Sequence, residues 1–258
     1  MKRLDKIRLI RQSLQEDKPS VGSWMQIPHP SVAEIMGQAG YDWVAVDMEH
    51  GTVSAHQLPD LFRALELGGT LPLVRLAQGH PKDCKLALDA GAGGVIVPMV
   101  ENAEQLMAMR DACRWPPAGT RGVGFSRANL FGKHFEAYRD EAQAPLLVAM
   151  IEHVRAVDNL AEILQVSGLD AIFIGPYDLS ASMGLTAQFE HPEFEAAMQR
   201  ICALSREHRV PSGVHVVMPD PAELEQRIAQ GYRFIAYSID AVFLSSAANL
   251  AIRPGWKH

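Results

Sequence analysis

Short apolar runs alternate with longer amphipathic segments along the whole chain. The runs have the length and composition of buried β-strands, and the segments between them repeat apolar residues at helical spacing. The runs predict eight strands, at residues 21–26, 43–47, 72–76, 94–98, 146–151, 171–174, 212–217 and 234–238. The amphipathic segments predict helices at residues 31–39, 55–67, 82–90, 103–113, 157–165, 193–208, 222–230 and 241–251.

Alternation of strands and helices forces the strands to be parallel, because a parallel neighbour is reached only through a crossover connection. Eight such units in 258 residues predict an α/β fold, a (β/α)8 TIM barrel. An open doubly wound sheet is the alternative, but no phosphate-cradling glycine motif follows the first strand. We expect one domain over residues 1–258, with an extra helix at 1–18, and we expect the N-terminal and C-terminal helices to serve oligomer contacts.

One segment interrupts the alternation. Between Arg114 and Ala144 the chain is rich in glycine and proline and carries Arg121 and Arg127. Because this segment comes after the fourth strand, we expect it to hang over the mouth of the barrel. Long ordered loops in compact domains are often binding loops, and a subunit-contact loop is an equally good interpretation.

Composition narrows the function classes. A formal net charge of −6 argues against nucleic acid as a partner, which favours basic surfaces. No apolar run approaches the roughly 20 residues needed to span a membrane, and the N-terminus lacks the apolar core of a signal peptide. The cysteines Cys84, Cys113 and Cys202 show neither a metal-binding spacing nor a disulfide framework. We therefore expect a cytoplasmic protein with reduced thiols.

Ionisable side chains stand at or just beyond the ends of four predicted strands, next to buried apolar runs. They are Asp47, Glu49 and His50 at the second strand, Arg75 at the third, Glu152 at the fifth and Asp178 at the sixth. The carboxyl ends of barrel strands share one face, where TIM barrels carry out their chemistry. Charges held there need a partner or a metal. Glu152 and Asp178 are therefore candidate ligands of a hard cation such as Mg²⁺, and His50 is a candidate base.

Each of these residues also has a structural explanation. A single histidine at a strand end is more often hydrogen-bonded structure than a base, and an arginine near two carboxylates forms an ion pair without any catalysis. Their convergence on one rim favours chemistry. We interpret His215, inside the seventh strand, as a packed interior residue, and His153 as pointing away from Glu152.

Five motifs of the chain resemble the HpcH/HpaI class II aldolase family. In family order they are residues 47–51 (DMEHG), 72–75 (PLVR), 89–92 (DAGA) with 97–100 (VPMV), 116–122 (PPAGTRG) and 175–184 (GPYDLSASMG). Together they span nearly the whole chain, although any one alone would be a weak signal. Residues 126–132 (SRANLFG) are also similar to a stretch of the 2-dehydro-3-deoxyglucarate aldolase branch.

The resemblance implies a barrel of the phosphoenolpyruvate/pyruvate type and a metal-dependent carbon–carbon lyase. Such an enzyme reversibly cleaves a 4-hydroxy-2-oxo acid to pyruvate and an aldehyde through a metal-stabilised enolate, with Mg²⁺, Mn²⁺ or Co²⁺ as the metal. The small-molecule partners are accordingly a 2-oxo acid and an aldehyde. The same metal enolate also suits an oxaloacetate decarboxylase or a citramalyl-type lyase, and a non-catalytic oxo-acid-binding barrel is the remaining alternative.

The resemblance also implies a role for each site residue. Glu152 and Asp178 are metal ligands, His50 is the catalytic proton acceptor, Arg75 binds the substrate and stabilises the transition state, and Asp89 tunes the histidine. Gly175, Pro176 and Tyr177 lie along the bound oxo acid. At Met150, a further substrate-binding position, many members carry glutamine, and at Tyr177 smaller residues are common. The Met150 thioether cannot donate the hydrogen bonds that a glutamine amide can, and the Tyr177 ring takes more space than a smaller residue. We expect both departures to affect which substrate is bound more than which reaction is catalysed.

Asp89 raises a geometric problem. It ends the helix before the fourth strand, so it belongs to the face of the barrel opposite to His50. It can reach a histidine only across a subunit interface. We therefore expect an obligate homo-oligomer, and the resemblance implies a homohexamer or trimer of dimers. Asp47, three residues before His50, is the alternative within the chain, and Glu49 is a further candidate for positioning the turn or a metal-bound water.

Overall fold

Eight parallel strands close into a barrel in chain order. The structure is a computed structural model that describes residues 2–248. The strands are β1 (Ser20–Met25), β2 (Trp43–Asp47), β3 (Leu71–Arg75), β4 (Gly94–Val97), β5 (Leu146–Ile151), β6 (Ala171–Ile174), β7 (Ser212–Val216) and β8 (Phe234–Ile239). The predicted TIM barrel is confirmed, and the open doubly wound alternative is wrong.

Helices accompany the strands. They are α1 (Arg3–Gln15), α2 (Pro30–Gln38), α3 (Leu58–Gly68), α4 (Pro81–Ala90), α5 (Ala103–Cys113), α6 (Phe135–Gln143), α7 (Val154–Asp158), α8 (Leu160–Ile163), α9 (Pro176–Ser182), α10 (Pro192–His208), α11 (Pro221–Ala229) and α12 (Asp240–Ala248). Helix α1 precedes β1, α12 follows β8, and the others lie in the connections between strands. The pattern missed α6 and α9 and merged α7 with α8. The end of the predicted helix 241–251 lies outside the described residues. Within residues 2–248, no helix is both long and apolar enough to cross a membrane.

Alternating side chains along the strands build two apolar layers. Inside the barrel, Trp43 stacks on Phe234 with ring centroids 4.3 Å apart. Helix α1 packs Ile7, Ile10 and Leu14 against these interior residues. Outward-facing strand residues pack against the surrounding helices and form the second layer. The N-terminal helix therefore belongs to the core of its own barrel, and its part in oligomer contacts stays a prediction.

The segment between α5 and β5 does not lie over the mouth of the barrel, so that expectation is wrong. It begins where α5 ends, and α5 has already returned the chain to the amino edge of the sheet. There Arg127 donates a hydrogen bond to the Ala90 carbonyl at the end of α4, at 2.8 Å. Arg3 of α1 donates to the Ala128 carbonyl, also at 2.8 Å. A role in contacts between subunits stays a prediction.

Helices α2 and α3 pack with their main chains in contact at Gly68. A Cβ atom added to Gly68 would lie 2.2 Å from the carbonyl carbon and oxygen of Gly37. Both sides of this contact are backbone, so neither can move aside by changing a rotamer. The contact therefore requires a glycine at the last position of α3.

Replacing Gly68 by alanine should destabilise the protein by about 1–3 kcal/mol, because it overpacks this contact. Alanine is normally favoured over glycine in a helix, so helix propensity alone would make the variant more stable. A loss of stability therefore shows that the packing contact dominates. Urea unfolding measures it. The matched control is Gly124→Ala, where nothing lies within 4 Å of the added Cβ. A Gly68→Ala protein as stable as the wild type would contradict the close approach.

Candidate active site

An ion pair with a fully buried carboxylate lies at the carboxyl end of β2 and β3. Asp47 pairs in register with Arg75, so the two side chains leave the sheet side by side. The Asp47 carboxylate, with 0% exposure, accepts from Arg75 Nε at 2.9 Å and from Nη2 at 2.6 Å. Gln26 Nε2 donates a third hydrogen bond at 2.8 Å. Burial by itself would raise the pKa of Asp47, but the hydrogen bonds and charge of Arg75 outweigh it and hold the pKa below its usual value.

Asp47 also fixes the turn that carries Glu49 and His50. Its Oδ1 atom accepts the main-chain N–H of Glu49 at 3.1 Å and that of His50 at 3.2 Å. Aspartate commonly holds its own following backbone in this way. The His50 side chain itself is exposed. Asp47 therefore positions the main chain of His50, while the imidazole is presented to the mouth of the barrel.

The third nitrogen of Arg75 faces the open side of the site. Its Nη1 atom lies 3.3 Å from Glu49 Oε2 and 4.0 Å from the Met150 sulfur, which is a weak acceptor. The guanidinium carbon lies 4.6 Å from the centre of the Trp24 ring. These contacts fix the guanidinium plane. Within residues 2–248, Nη1 is in ion-pair contact with the Glu49 carboxylate but is not hydrogen-bonded to it.

A buried carboxylate stands across the site from Arg75. Glu152 follows β5 directly, is 2% exposed, and accepts the main-chain N–H of Met99 at 2.6 Å. A Cβ at Gly175 would lie 2.7 Å from Glu152 Oε2, so this carboxylate needs a glycine beside it. Burial raises the pKa of Glu152 to about 7, and the negative charges of Glu49 and Asp178 contribute to the rise.

The site has more negative charge than its own cations balance. Glu49 Oε2 is buried and makes no hydrogen bond within the described residues, and burial raises the pKa of Glu49. Asp178 lies in the first turn of α9 and is exposed. No three His, Cys, Asp or Glu side chains among residues 2–248 form a ready-made metal cluster. Glu152 and Asp178 thus offer two hard oxygen donors, which fit a cation such as Mg²⁺ that takes its other ligands from water or substrate.

Asp89 lies away from this site, at the amino edge of its own barrel. It is in the last turn of α4 and accepts a hydrogen bond from Arg121 Nη1 at 3.2 Å. Arg121 is 3% exposed and also donates to the Tyr138 hydroxyl at 3.0 Å. Burial raises the pKa of Asp89 against the attraction of Arg121. Within one chain Asp89 therefore holds the long segment after α5, and its role towards a histidine stays a prediction.

The predicted substrate residues Gly175, Pro176 and Tyr177 form the start of α9. Gly175 is the residue before its first turn. Tyr177 is exposed and packs edge to face on Phe189, with ring centroids 5.0 Å apart. Pro176 and Tyr177 line a cavity of about 670 Å³ that extends between α10 and α11 and is also lined by His215.

Sequence reasoning left Trp24, Gln26 and Met99 out of the site. Strand alternation in β1 was the available signal for Trp24, which shares the inward face. Gln26 follows that strand directly, as the chosen polar residues follow theirs. Met99 contributes only its main-chain N–H, for which its residue type gives no signal.

Known proteins resemble this chain in both sequence and fold. The profile of the HpcH/HpaI aldolase/citrate lyase family matches residues 20–247. The chain belongs to this family. The resemblance stated from the motifs is thereby confirmed.

Relatives within the HpcH/HpaI family match over nearly their whole length. A hydroxypyruvate/pyruvate aldolase of Roseobacter denitrificans is 35% identical over 97% of this chain and 98% of its own. A 4-hydroxy-2-oxovalerate aldolase of Novosphingobium aromaticivorans is 36% identical over 96% and 94%. The crystal structure of a family protein from Burkholderia cenocepacia superposes with a TM-score of 0.86 at 33% identity, covering 93% of this chain and 95% of that one. The expected enzyme class, a carbon–carbon lyase, is confirmed.

Replacing Glu152 by glutamine should stabilise the metal-free protein at high pH. The pKa of Glu152 rises from 4.5 to about 7 on folding. The folded state therefore keeps a proton that the unfolded state releases, and stability is lost as the pH rises from about 4.5 through about 7. This shift corresponds to roughly 3 kcal/mol at about pH 8. Glutamine stays neutral and keeps an acceptor for the Met99 N–H.

Urea unfolding in excess chelator measures the free energy of unfolding of Glu152→Gln and of the wild type. The difference between them should approach roughly 3 kcal/mol at about pH 8 and vanish near pH 4. Added Mg²⁺ should stabilise the wild type and leave Glu152→Gln unchanged. Equal stability of the two metal-free proteins at high pH would contradict the raised pKa of Glu152.

Proposed function

We propose that this chain is a divalent-metal-dependent aldolase that reversibly cleaves a 4-hydroxy-2-oxo acid to pyruvate and an aldehyde. The observation that carries the proposal is the Asp47–Arg75 pair facing the Glu152 carboxylate across the carboxyl end of the barrel. This arrangement would place a fixed guanidinium opposite a bound cation. Preorganised positive charge of this kind is what stabilises an enolate.

Glu152 and Asp178 would hold the cation, with Mg²⁺, Mn²⁺ and Co²⁺ as the candidates. Bound there, it would polarise the 2-oxo group and make the neighbouring C–H bond more acidic. The uncompensated negative charge around Glu152 supports this assignment, since a divalent ion neutralises it. Gly175 lets the carboxylate lie directly against the main chain at the start of α9.

Arg75 orients the oxo acid and stabilises the charge that develops on it. Asp47 occupies Nε and Nη2, so Nη1 is the donor directed at the substrate oxygen. The positive charge stays in place during the reaction because Arg75 is held by a buried carboxylate. Removing one such preorganised donor typically costs about 3 kcal/mol of transition-state stabilisation.

His50 moves the proton of the aldol hydroxyl. In the cleavage direction His50 takes the proton from the C4 hydroxyl. The C3–C4 bond then breaks, and the electron pair of that bond passes into the enolate. Protonation at C3 then gives pyruvate, and condensation reverses these steps. The exposed imidazole on a turn fixed by Asp47 suits a group that exchanges protons with solvent and substrate.

We also propose that Asp89 of the partner subunit completes the site by orienting His50 in a homo-oligomer, either a hexamer or a trimer of dimers. The amino-edge position of Asp89 supports a contact between subunits, since it cannot reach His50 of its own chain. A cytoplasmic location stays a prediction.

Removing either proposed ligand should abolish the metal-dependent chemistry. Glu152→Ala and Asp178→Ala should each lower metal-stimulated exchange of pyruvate methyl protons, followed by NMR, by at least about a hundredfold. Glu225→Gln, which removes an exposed carboxylate on α11, is the matched control and should keep wild-type exchange. Wild-type exchange in excess chelator would rule out the mechanism.

A substrate panel separates aldol cleavage from the alternatives. Oxaloacetate decarboxylation and citramalyl-type cleavage pass through the same enolate, so they would also show exchange. Turnover of a 4-hydroxy-2-oxo acid with release of an aldehyde identifies the aldolase. Absence of exchange with every metal would leave an oxo-acid-binding barrel.

Mixing two inactive variants tests the shared site. In a hybrid of His50→Asn and Asp89→Asn chains, some sites combine the intact His50 of one chain with the intact Asp89 of the other. Random assembly should restore about a quarter of wild-type activity, since each intact residue is present in half of the chains. A hybrid as inactive as its parents, or a fully active monomer, would contradict the shared site.

A further inference from the structure

His215, near the end of β7, presents a buried nitrogen with no hydrogen-bond partner. Its ring points into the barrel, because Val214 and Val216 on either side pack outward in the helix layer. The ring lies edge to face against Trp24, with centroids 6.3 Å apart. Its Nε2 atom is unpaired within the described part of the chain. A buried polar atom left unpaired typically costs about 1–3 kcal/mol, which a ligand or a water can recover.

Strand register places His215 at the height of the predicted metal site. Phe173 of β6 pairs with Gly213 of β7, so Gly175 and His215 stand side by side two residues further on. Gly175 is also the residue against which the Glu152 carboxylate lies. His215 is therefore one strand away from the groups proposed to hold the cation.

The same aromatic ring borders both His215 and Arg75. Trp24 packs against the His215 imidazole and lies beneath the Arg75 guanidinium. The cavity that Pro176 and Tyr177 line borders β7 at Val214 and His215, on the helix side of the strand, whereas the His215 ring points to the inside. His215 thus stands beside the aromatic ring that supports the substrate-orienting arginine.

The surroundings keep the imidazole neutral and select its tautomer. Burial lowers the pKa of His215 to about 4, the main chain of Ser238 opposes this, and the charge of Arg75 adds to it. A main-chain group that favours the protonated ring is a carbonyl, which accepts from a ring N–H. We assign that hydrogen to Nδ1, because Nε2 is the unpaired atom within the described residues; in this tautomer Nε2 carries a lone pair. His215 is therefore an acceptor.

The backbone around His215 is held in place. Ser238 of β8 has a φ of 56°, in the left-handed region that non-glycine residues rarely adopt. Its hydroxyl donates to the Val217 carbonyl, two residues beyond His215, at 2.9 Å. Backbone strain of this kind persists where the surrounding structure enforces it, and such positions cluster at functional sites.

We propose that His215 sets substrate specificity by accepting a hydrogen bond from a hydroxyl group of the substrate. This inference rests on the proposed aldolase function. A buried acceptor of this kind rejects analogues without the hydroxyl, because they leave it unpaired. The hydroxyl is either the one on C3 of a hydroxylated oxo acid or the one next to the carbonyl of a hydroxyaldehyde.

Matched substrate pairs distinguish the two sources of the hydroxyl. One arm compares kcat/KM for hydroxypyruvate and pyruvate with a fixed aldehyde, and the other compares glycolaldehyde and acetaldehyde with pyruvate. The wild type should prefer the hydroxylated member in one arm. His215→Leu should reduce that preference by about ten- to a hundredfold, by slowing the hydroxylated substrate alone. His215→Gln, whose amide oxygen extends to the position of Nε2, should retain most of the preference.

A wild type without preference in either arm would overturn the assignment, as would an equal loss on both members of a pair. If His215→Leu does not fold, a measurement on the wild-type protein still tests the role of His215. With ¹⁵N-labelled histidine, its Nε2 resonance should shift on addition of the preferred hydroxylated compound and stay unchanged with the analogue lacking the hydroxyl. Metal-stimulated exchange of pyruvate protons separates the two levels of the proposal. Exchange persists if only the role of His215 is wrong, and it is absent if the aldolase function is wrong.

Discussion

The buried pair of Asp47 and Arg75 is the interaction on which the rest of the site depends. A carboxylate with no exposed surface is costly unless every lone pair is used, and here two arginine nitrogens, one amide and two main-chain N–H groups use them. These donors come from three parts of the site, namely Arg75, Gln26 and the turn after β2, so one carboxylate fixes both the arginine plane and the turn that carries His50. Breaking one partner of such a pair typically costs about 3–5 kcal/mol, which means that the same contacts support both stability and geometry.

Outside this pair, the carboxylates of Glu49, Glu152 and Asp178 leave the site with excess negative charge. This excess charge is why the site favours binding of a cation. Arg75 is hydrogen-bonded to Asp47 and lies near Glu49. Its charge also attracts the Glu152 carboxylate, but burial and the negative charges of Glu49 and Asp178 outweigh that attraction. The burial that raises the pKa of Glu152 to about 7 is therefore a feature of the metal-free site. Natural proteins accept local strain of this kind where binding relieves it, and the strain is offset by the packed barrel around it.

The fold and most of the rim could be predicted from the sequence because strand length and the first polar residue after each strand are local signals. Glu152 shows this, since it follows the apolar strand β5 directly. The failures have different causes. The segment after Arg114 was placed by reference to the fourth strand, although the predicted helix 103–113, confirmed as α5, already returns the chain to the amino edge. Met99 contributes through a main-chain N–H at a φ of 50°, which its side chain does not indicate.

Two histidines near strand ends, His50 and His215, differ in their surroundings. His50 sits on an exposed turn, where a proton can be exchanged with solvent and substrate, as the proposed mechanism requires. His215 lies in β7 beside Trp24, where burial lowers its pKa to about 4, so it offers a fixed lone pair and does not take part in proton transfer near neutral pH. A barrel mouth that needs both a mobile proton and a fixed acceptor can obtain both from one residue type, provided that burial assigns the two roles.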